Sequence, residues 1–159
     1  MTPDPRDESA ASATLRDALA RIGGSDPRLI PLALGWATVD LDRAERSFLE
    51  TFTGRMERED ARRDDVLLGA RCRTLRATDP SMPLVVLVEP ATEGRLAALL
   101  ARHGEGPAVA WLRSVAVVSR PARSVATDGP FGPETLLPGS PRHGPHRLLV
   151  LVEAGTITS

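Results

Sequence analysis

Lysine, asparagine, glutamine and tyrosine are missing altogether from this chain of 159 residues, and cysteine occurs once. A single cysteine, Cys72, excludes an intrachain disulfide and a zinc site built on several thiolates. Its neighbours Arg71 and Arg73 would lower a thiol pKa only from the same side. On a strand they face away from it, so Cys72 reads as a buried, inert thiol. Arginine alone carries the basic charge, 20 residues against 21 acidic ones, and a net charge of −1 gives no global pull toward nucleic acid or an anionic membrane. No apolar run reaches the roughly 18 residues of a membrane span. The N-terminus, "MTPDPRDES", is too polar and acidic for a signal peptide, so a soluble, cytoplasmic protein is expected. A Gly-rich phosphate loop, a Ser-His-Asp arrangement and nucleic-acid motifs are absent too.

What is present is an ordinary globular composition, 42% apolar and 26% charged, in a length that suits one domain. Residues 1 to about 11 are rich in Pro, Asp and Ser and are expected to be disordered. "SATLRDALARIGG" then sets Leu15, Leu19 and Ile22 on one stripe of an accessory helix that Gly23-Gly24 stops. A strand is expected from Leu29 to Val39, and a helix follows it, capped by Asp40 or Asp42, with Ala44, Phe48, Leu49 and Phe52 inward. "GRMEREDARRDD" reads as a charged connector, "VLLGARCRTLRAT" as a half-buried strand and "LVVLVE" as a buried one. "EGRLAALLARHG" is a short helix ending at Gly104, and "PAVAWLRSVAVV" is a further strand, passing into a helix or turn near "SRPARS". A Pro/Gly-rich loop holds one short strand near "ETLL", and "HRLLVLVE" closes the chain. Each half ends in a similar strand, "LVVLVEP" and "LLVLVEA", which suggests a duplicated unit rather than a βαβ parallel fold.

These segments resemble the vicinal oxygen chelate superfamily, the glyoxalase/bleomycin-resistance/dioxygenase fold. "LGWATVDLDRAERSFL" resembles its opening strand and helix. "VVLVEPATEGRLAALLARHGEGPAVAWL" resembles the middle of the methylmalonyl-CoA-epimerase-like branch, and "HRLLVLVE" resembles the closing strand. The resemblance implies an α+β fold of paired βαβββ modules, a curved mixed sheet around a cup, here with an extra N-terminal helix. It implies a tail and accessory helix over 1–28 and one domain over 29–155, with modules at about 29–90 and 105–155 and a helical link at 91–104. A homodimer is implied as well. The metal ligands of the family fall at Ala33, Val86, Val109 and Val150. All four are apolar, and methyl groups cannot coordinate a divalent cation. The expectation is a protein without metal or other cofactor.

The same positions mark the cup-facing side of each strand, because side chains alternate with a period of two. That face carries Ala33, Gly35 and Ala37; Leu84, Val86 and Val88; Val109, Trp111 and Arg113; His146, Leu148 and Val150. Ala33 and Gly35 leave room opposite Trp111. An apolar wall with one aromatic platform and a few polar groups is the profile of a small-molecule site. The ligand-binding set is therefore Trp111, Ala33, Gly35, Val86, Val88, Val109, Leu148 and Val150, for an apolar or aromatic small molecule. His146, expected near the mouth, is the candidate general acid or base, and Arg113 the candidate anchor for a carboxylate, enolate or phenolate. His103 suits the C-terminal end of its helix, His143 and His146 form a weak pair in "RHGPH", Glu89 and Glu153 face away from the cup, and Glu105 reads as a turn residue. Three functions stand open: a metal-independent cyclase or isomerase of bacterial secondary metabolism, a drug- or metabolite-binding protein of the bleomycin-resistance kind, and a scaffold that keeps the fold without the chemistry.

Overall fold

A computed structural model describes residues 5–59, 63–115, 125–141 and 144–151. The N-terminal stretch expected to be disordered is helical as far back as it is described: α1 spans Pro5–Gly23. Proline is tolerated in a first helical turn, where its missing N–H has no partner to lose, and Ala10, Ala11 and Ala13 favour the helix beyond it. Leu15, Ala18 and Ile22 are its buried stripe. β1 spans Leu29–Ala37 and α2 Leu41–Thr51. Asp40 caps α2 by accepting the Arg43 N–H at 2.9 Å, and Phe48 is buried edge-on against Trp36.

The charged stretch read as a connector contains a strand, β2 at Met56–Glu59. An edge strand needs only one buried side chain, here Met56, and Glu59 pairs with Arg76 of the next strand at 2.7 Å. That next strand, β3 at Ala70–Ala77, begins later than expected because residues 65–70 form a tight turn closed by an Asp65–Ala70 bridge. β4 spans Leu84–Pro90, α3 Arg95–His103 and β5 Gly106–Ser114. Where one short strand was expected there is a hairpin, β6 at Thr127–Gly129 and β7 at Gly132–Leu136, and β8 spans His146–Val150. The segment "SRPARS", His143 and Glu153 lie outside the described residues.

One curved mixed sheet of eight strands runs in the order β2-β3-β4-β1-β5-β8-β7-β6. β1 and β5 meet antiparallel at its centre, and each takes a parallel partner on its other side, β4 and β8 respectively. The registers Ala33↔Leu84 and Gly35↔Val86 recur as Val109↔His146 and Trp111↔Leu148. A pseudo-two-fold axis therefore relates the halves, and the echoed "LVVLVEP" and "LLVLVEA" strands hold equivalent places.

Alternation along the strands divides the interior in two. Leu34, Val85, Leu87, Ala110 and Leu112 face the convex side, where α1 lies over β5 and β1 while α2 lies over β4 and β2. Ala33, Val86, Val88, Val109, Trp111 and Leu148 face the concave side and pack against Leu68 and the α3 residues Leu96, Leu99 and Leu100. Glu105, expected to be a turn residue, ties the start of the second half to the first. Its Oε1 accepts from Thr38 Oγ1 at 2.6 Å, the Val39 N–H at 2.8 Å and Arg43 at 2.6 Å. Arg43 first, then these two donors, hold its carboxyl at about 2. Glu89, set away from the cup, is paired with Arg71.

Candidate functional site: the concave cup

The cup is built around a close approach of backbones at Gly35. A Cβ there would lie 2.6 Å from Val109 Cβ and 2.8 Å from Trp111 Cζ3, so only glycine lets the indole lie across β1. The room that the small residues of β1 were expected to leave for Trp111 is thus real, and Trp111 fills it completely. The indole is fully buried, with Phe131 edge-on to it at 5.6 Å between centroids, and its Nε1–H donates to Glu134 Oε2 at 2.9 Å.

Glu134, on β7, has no exposed surface, and the Asp65 side chain beside it is 1% exposed. Asp65 Oδ1 accepts the Leu68 N–H at 2.8 Å. The remaining oxygens, Asp65 Oδ2 and Glu134 Oε1, meet no N–H or O–H donor, so the two neighbouring carboxyl groups have only each other to bond to. Two carboxyl groups can bond in this way only if one carries a proton. Burial, then the charge of Asp65, pushes the Glu134 carboxyl up to about 9, while burial raises Asp65 against the Glu134 bond and the backbone N–H groups of Leu68 and Leu67. Burial thus favours a protonated Glu134 at neutral pH.

Other polar groups face the same interior. Thr74 is buried on β3, two residues along the same face from the half-buried Cys72, and Thr74 Oγ1 has no partner. The Cys72 thiol is pushed up by burial and by Asp65, Asp64 and Glu134, so it is no nucleophile. His146 is wholly enclosed rather than near a mouth, since its pairing with Val109 sets it in the middle of the sheet. Neither ring nitrogen is in hydrogen-bond geometry, though the Arg95 backbone lies beside the ring; burial first, then the charge of Arg95, lowers its pKa against that backbone contact. Arg113 is exposed toward the end of β5, opposite Ile30 and Val150, so it does not join His146 inside. The expected wall residues Ala33, Val86, Val88, Val109 and Leu148 have no exposed surface, and Val150 has 7%. The cup is packed with its own side chains.

Sequence reasoning found the wall and missed the acids. Glu134 opens the one short strand expected within a Pro/Gly-rich loop, and Asp65 ends a run read as solvated charge. The usable signal was the alternation of Glu134 with Leu136 in that strand.

The metal positions of the resemblance, Ala33, Val86, Val109 and Val150, lie on the concave face of the sheet. The pseudo-two-fold axis pairs Ala33 with Val109, Val86 with Leu148 and Val88 with Val150, so Val86 and Val150 are not equivalent to each other. Either symmetric set, through Val86 and Leu148 or through Val88 and Val150, is apolar and does not fit a divalent metal. Among the described residues no group of three or more His, Cys, Asp or Glu is placed to hold one.

Paired modules, a curved mixed sheet with β4 and β8 flanking a central β1/β5 joint, and a concave interior make up the α+β arrangement expected from the sequence. The sequence matches no protein-family model and no curated protein. Among solved structures, methylmalonyl-CoA epimerase from Mycobacterium tuberculosis superposes with a TM-score of 0.62 at 16% identity, over 84% of this chain and 96% of that one. A single-residue variant of the Streptomyces coelicolor methylmalonyl-CoA epimerase, in complex with 2-nitronate-propionyl-CoA, gives 0.58 at 24% identity, over 79% and 99%. A hypothetical protein from Bacillus halodurans gives 0.58 at 13%, over 79% and 95%. At these identities the likeness establishes the fold.

Proposed function

We infer that this is a metal-independent small-molecule protein that works in its concave cup, and that it is an enzyme of the isomerase or cyclase type which moves a proton on an apolar substrate. One observation carries the reading: of the buried side-chain atoms without a partner among the described residues, all but Arg147 Nε belong to residues that face the cup, namely Asp65 Oδ2, Thr74 Oγ1, Thr127 Oγ1, Glu134 Oε1 and the two His146 nitrogens. The buried polar residues outside it, Ser12 and Thr38, are both hydrogen-bonded. A buried polar group without a partner costs about 1–3 kcal/mol, so a domain kept only for its shape would be more stable with apolar residues there. A neutral acid next to a carboxylate offers a donor and an acceptor of protons within one dry site. Glu134 would hold or give the proton and Asp65 would take it, with Trp111 and the valines as walls. His146 is a neutral imidazole in the same interior, and exposed Arg113 suits an anionic part of the substrate at the rim. The epimerases of like fold support an isomerase-type reaction.

A second reading, the scaffold, is favoured by the complete burial of the cup wall. The two part in one experiment. The protein is incubated in D2O with a panel of apolar ketones and thioesters, and ligand-detected NMR follows both binding and loss of α-protons. Exchange that disappears in Glu134→Gln and Asp65→Asn establishes the enzyme. Binding without exchange makes it a binding protein, and neither leaves the scaffold.

A further inference from the structure

The acid pair does more than sit in the cup; it spans it. Asp65 belongs to the turn before β3, in the first half, and Glu134 to β7, in the second, near the opposite ends of the sheet order. A second contact runs beside the pair, the Val66 N–H donating to the Asp128 carbonyl of β6 at 3.1 Å. Residues 65–69 thus tie one end of the curved sheet to the other, and Leu68 from the same turn is driven into the concave core with 1% exposure. The turn is firm within itself. Asp65 and Ala70 exchange both backbone hydrogen bonds at 3.0 Å, and Gly69, at φ +63°, lets the chain reverse against Thr92. A compact turn of this kind moves as a unit.

We propose that Asp65 and Glu134 form a proton-held latch across the cup, and that residues 65–69 leave β6 and β7, opening the way to Trp111, when the shared proton passes to a base in solution. This rests on reading the cup as the ligand site, for which it supplies an entrance that the packed interior otherwise lacks. The groups facing the pair leave two negative charges there without a counter-charge: the Trp111 N–H from β5, the neutral Cys72 thiol from β3, the backbone N–H groups of Leu67 and Leu68, and Asp64, whose carboxylate accepts the Cys72 N–H. His146 on β8 is held neutral. Once the proton is gone, two like charges cannot stay together in an apolar interior, and the turn is the smaller body to move. The burial that pushes Glu134 up to about 9 keeps the latch shut at neutral pH.

The test uses the full chain with Trp36→Phe, which leaves Trp111 as the sole tryptophan, and follows acrylamide quenching from pH 7 to pH 10. Quenching should be that of a buried indole at neutral pH and rise several-fold on the alkaline side, with the far-ultraviolet circular dichroism unchanged. Adding Glu134→Gln, whose amide keeps both hydrogen bonds without a titrating proton, should hold quenching low throughout. Asp65→Asn serves the same purpose if that variant folds poorly. Quenching that stays flat in the parent, or that rises equally in the amide variants, overturns the latch. Nile red, added at each pH, separates the two ideas. Opening of Trp111 without dye binding upholds the latch and removes the ligand site, whereas dye binding at neutral pH with Trp111 still shielded keeps the site and overturns the latch.

Discussion

Replacing Glu134 by glutamine should make the protein more stable at neutral pH, by an amount that depends on pH in a defined way. In the unfolded chain Glu134 releases its proton above its ordinary 4.5, while in the folded protein it keeps the proton up to about 9. For an acid raised in this manner the two states bind protons equally below 4.5, and folding loses stability as pH climbs from there toward 9. Each pH unit in that window costs about 1.4 kcal/mol, so at pH 7 the native state carries a penalty of roughly 3 kcal/mol. That is a large share of the 5–15 kcal/mol or so that a domain has in total. A glutamine at 134 accepts from Trp111 Nε1 and donates to Asp65, preserving the contacts without the proton. Parent and variant should therefore have similar unfolding free energies at pH 5 and diverge steadily to pH 8, the variant becoming the more stable. His146 works in the opposite sense. Its lowered pKa contributes stability that is present above the unfolded value and lost as pH falls, but it is common to both proteins and drops out of the difference. Urea unfolding followed by circular dichroism at four pH values measures the gap. A gap that does not change with pH would show that no proton is held between these acids, and the reading of the site would fall with it.

Other consequences follow from the same geometry. Gly35→Ala should cost about 1–3 kcal/mol and lower Tm, because the new methyl group meets Val109 Cβ at 2.6 Å and has nowhere to go; an unchanged Tm would mean that β1 and β5 are not so closely apposed. Trp111→Phe removes the N–H given to Glu134 Oε2 and part of the cup filling, a loss of about 2–4 kcal/mol by chemical denaturation. Asp40→Ala should lose about 1 kcal/mol as the cap of α2 disappears, with no effect on the cup. Equilibrium dialysis against Zn, Ni, Co and Mn should leave less than stoichiometric metal, and one equivalent held in the cup would overturn the metal-independent reading.

What could be read along the chain was periodic. The odd positions 33, 35 and 37 of β1 and the even positions 86 and 88 of β4 face the cup as the alternation of side chains requires. Ala33 and Gly35 are legible in the sequence as the small residues opposite Trp111; Ala33 is its partner on β1, and the indole lies over Gly35. The departures have local causes. β2 is hidden because an edge strand with a single buried residue, Met56, carries no apolar period, and α1 starts earlier than expected because the Pro/Asp/Ser-rich composition of its first turns does not mark a helix.

The sequence alone determined the two halves, the face that each strand turns inward, and the apolar character of that face, because these follow from residue type and a period of two. Only the tertiary structure decided what occupies the cup. Asp65 and Glu134 lie far apart in the chain and near opposite ends of the sheet order, and nothing local to either one announces the other. Curvature brings them together, burial then disfavours two charges side by side, and packing closes Trp111 beneath them. Their chemistry belongs to the pair, so it exists only once the sheet has folded.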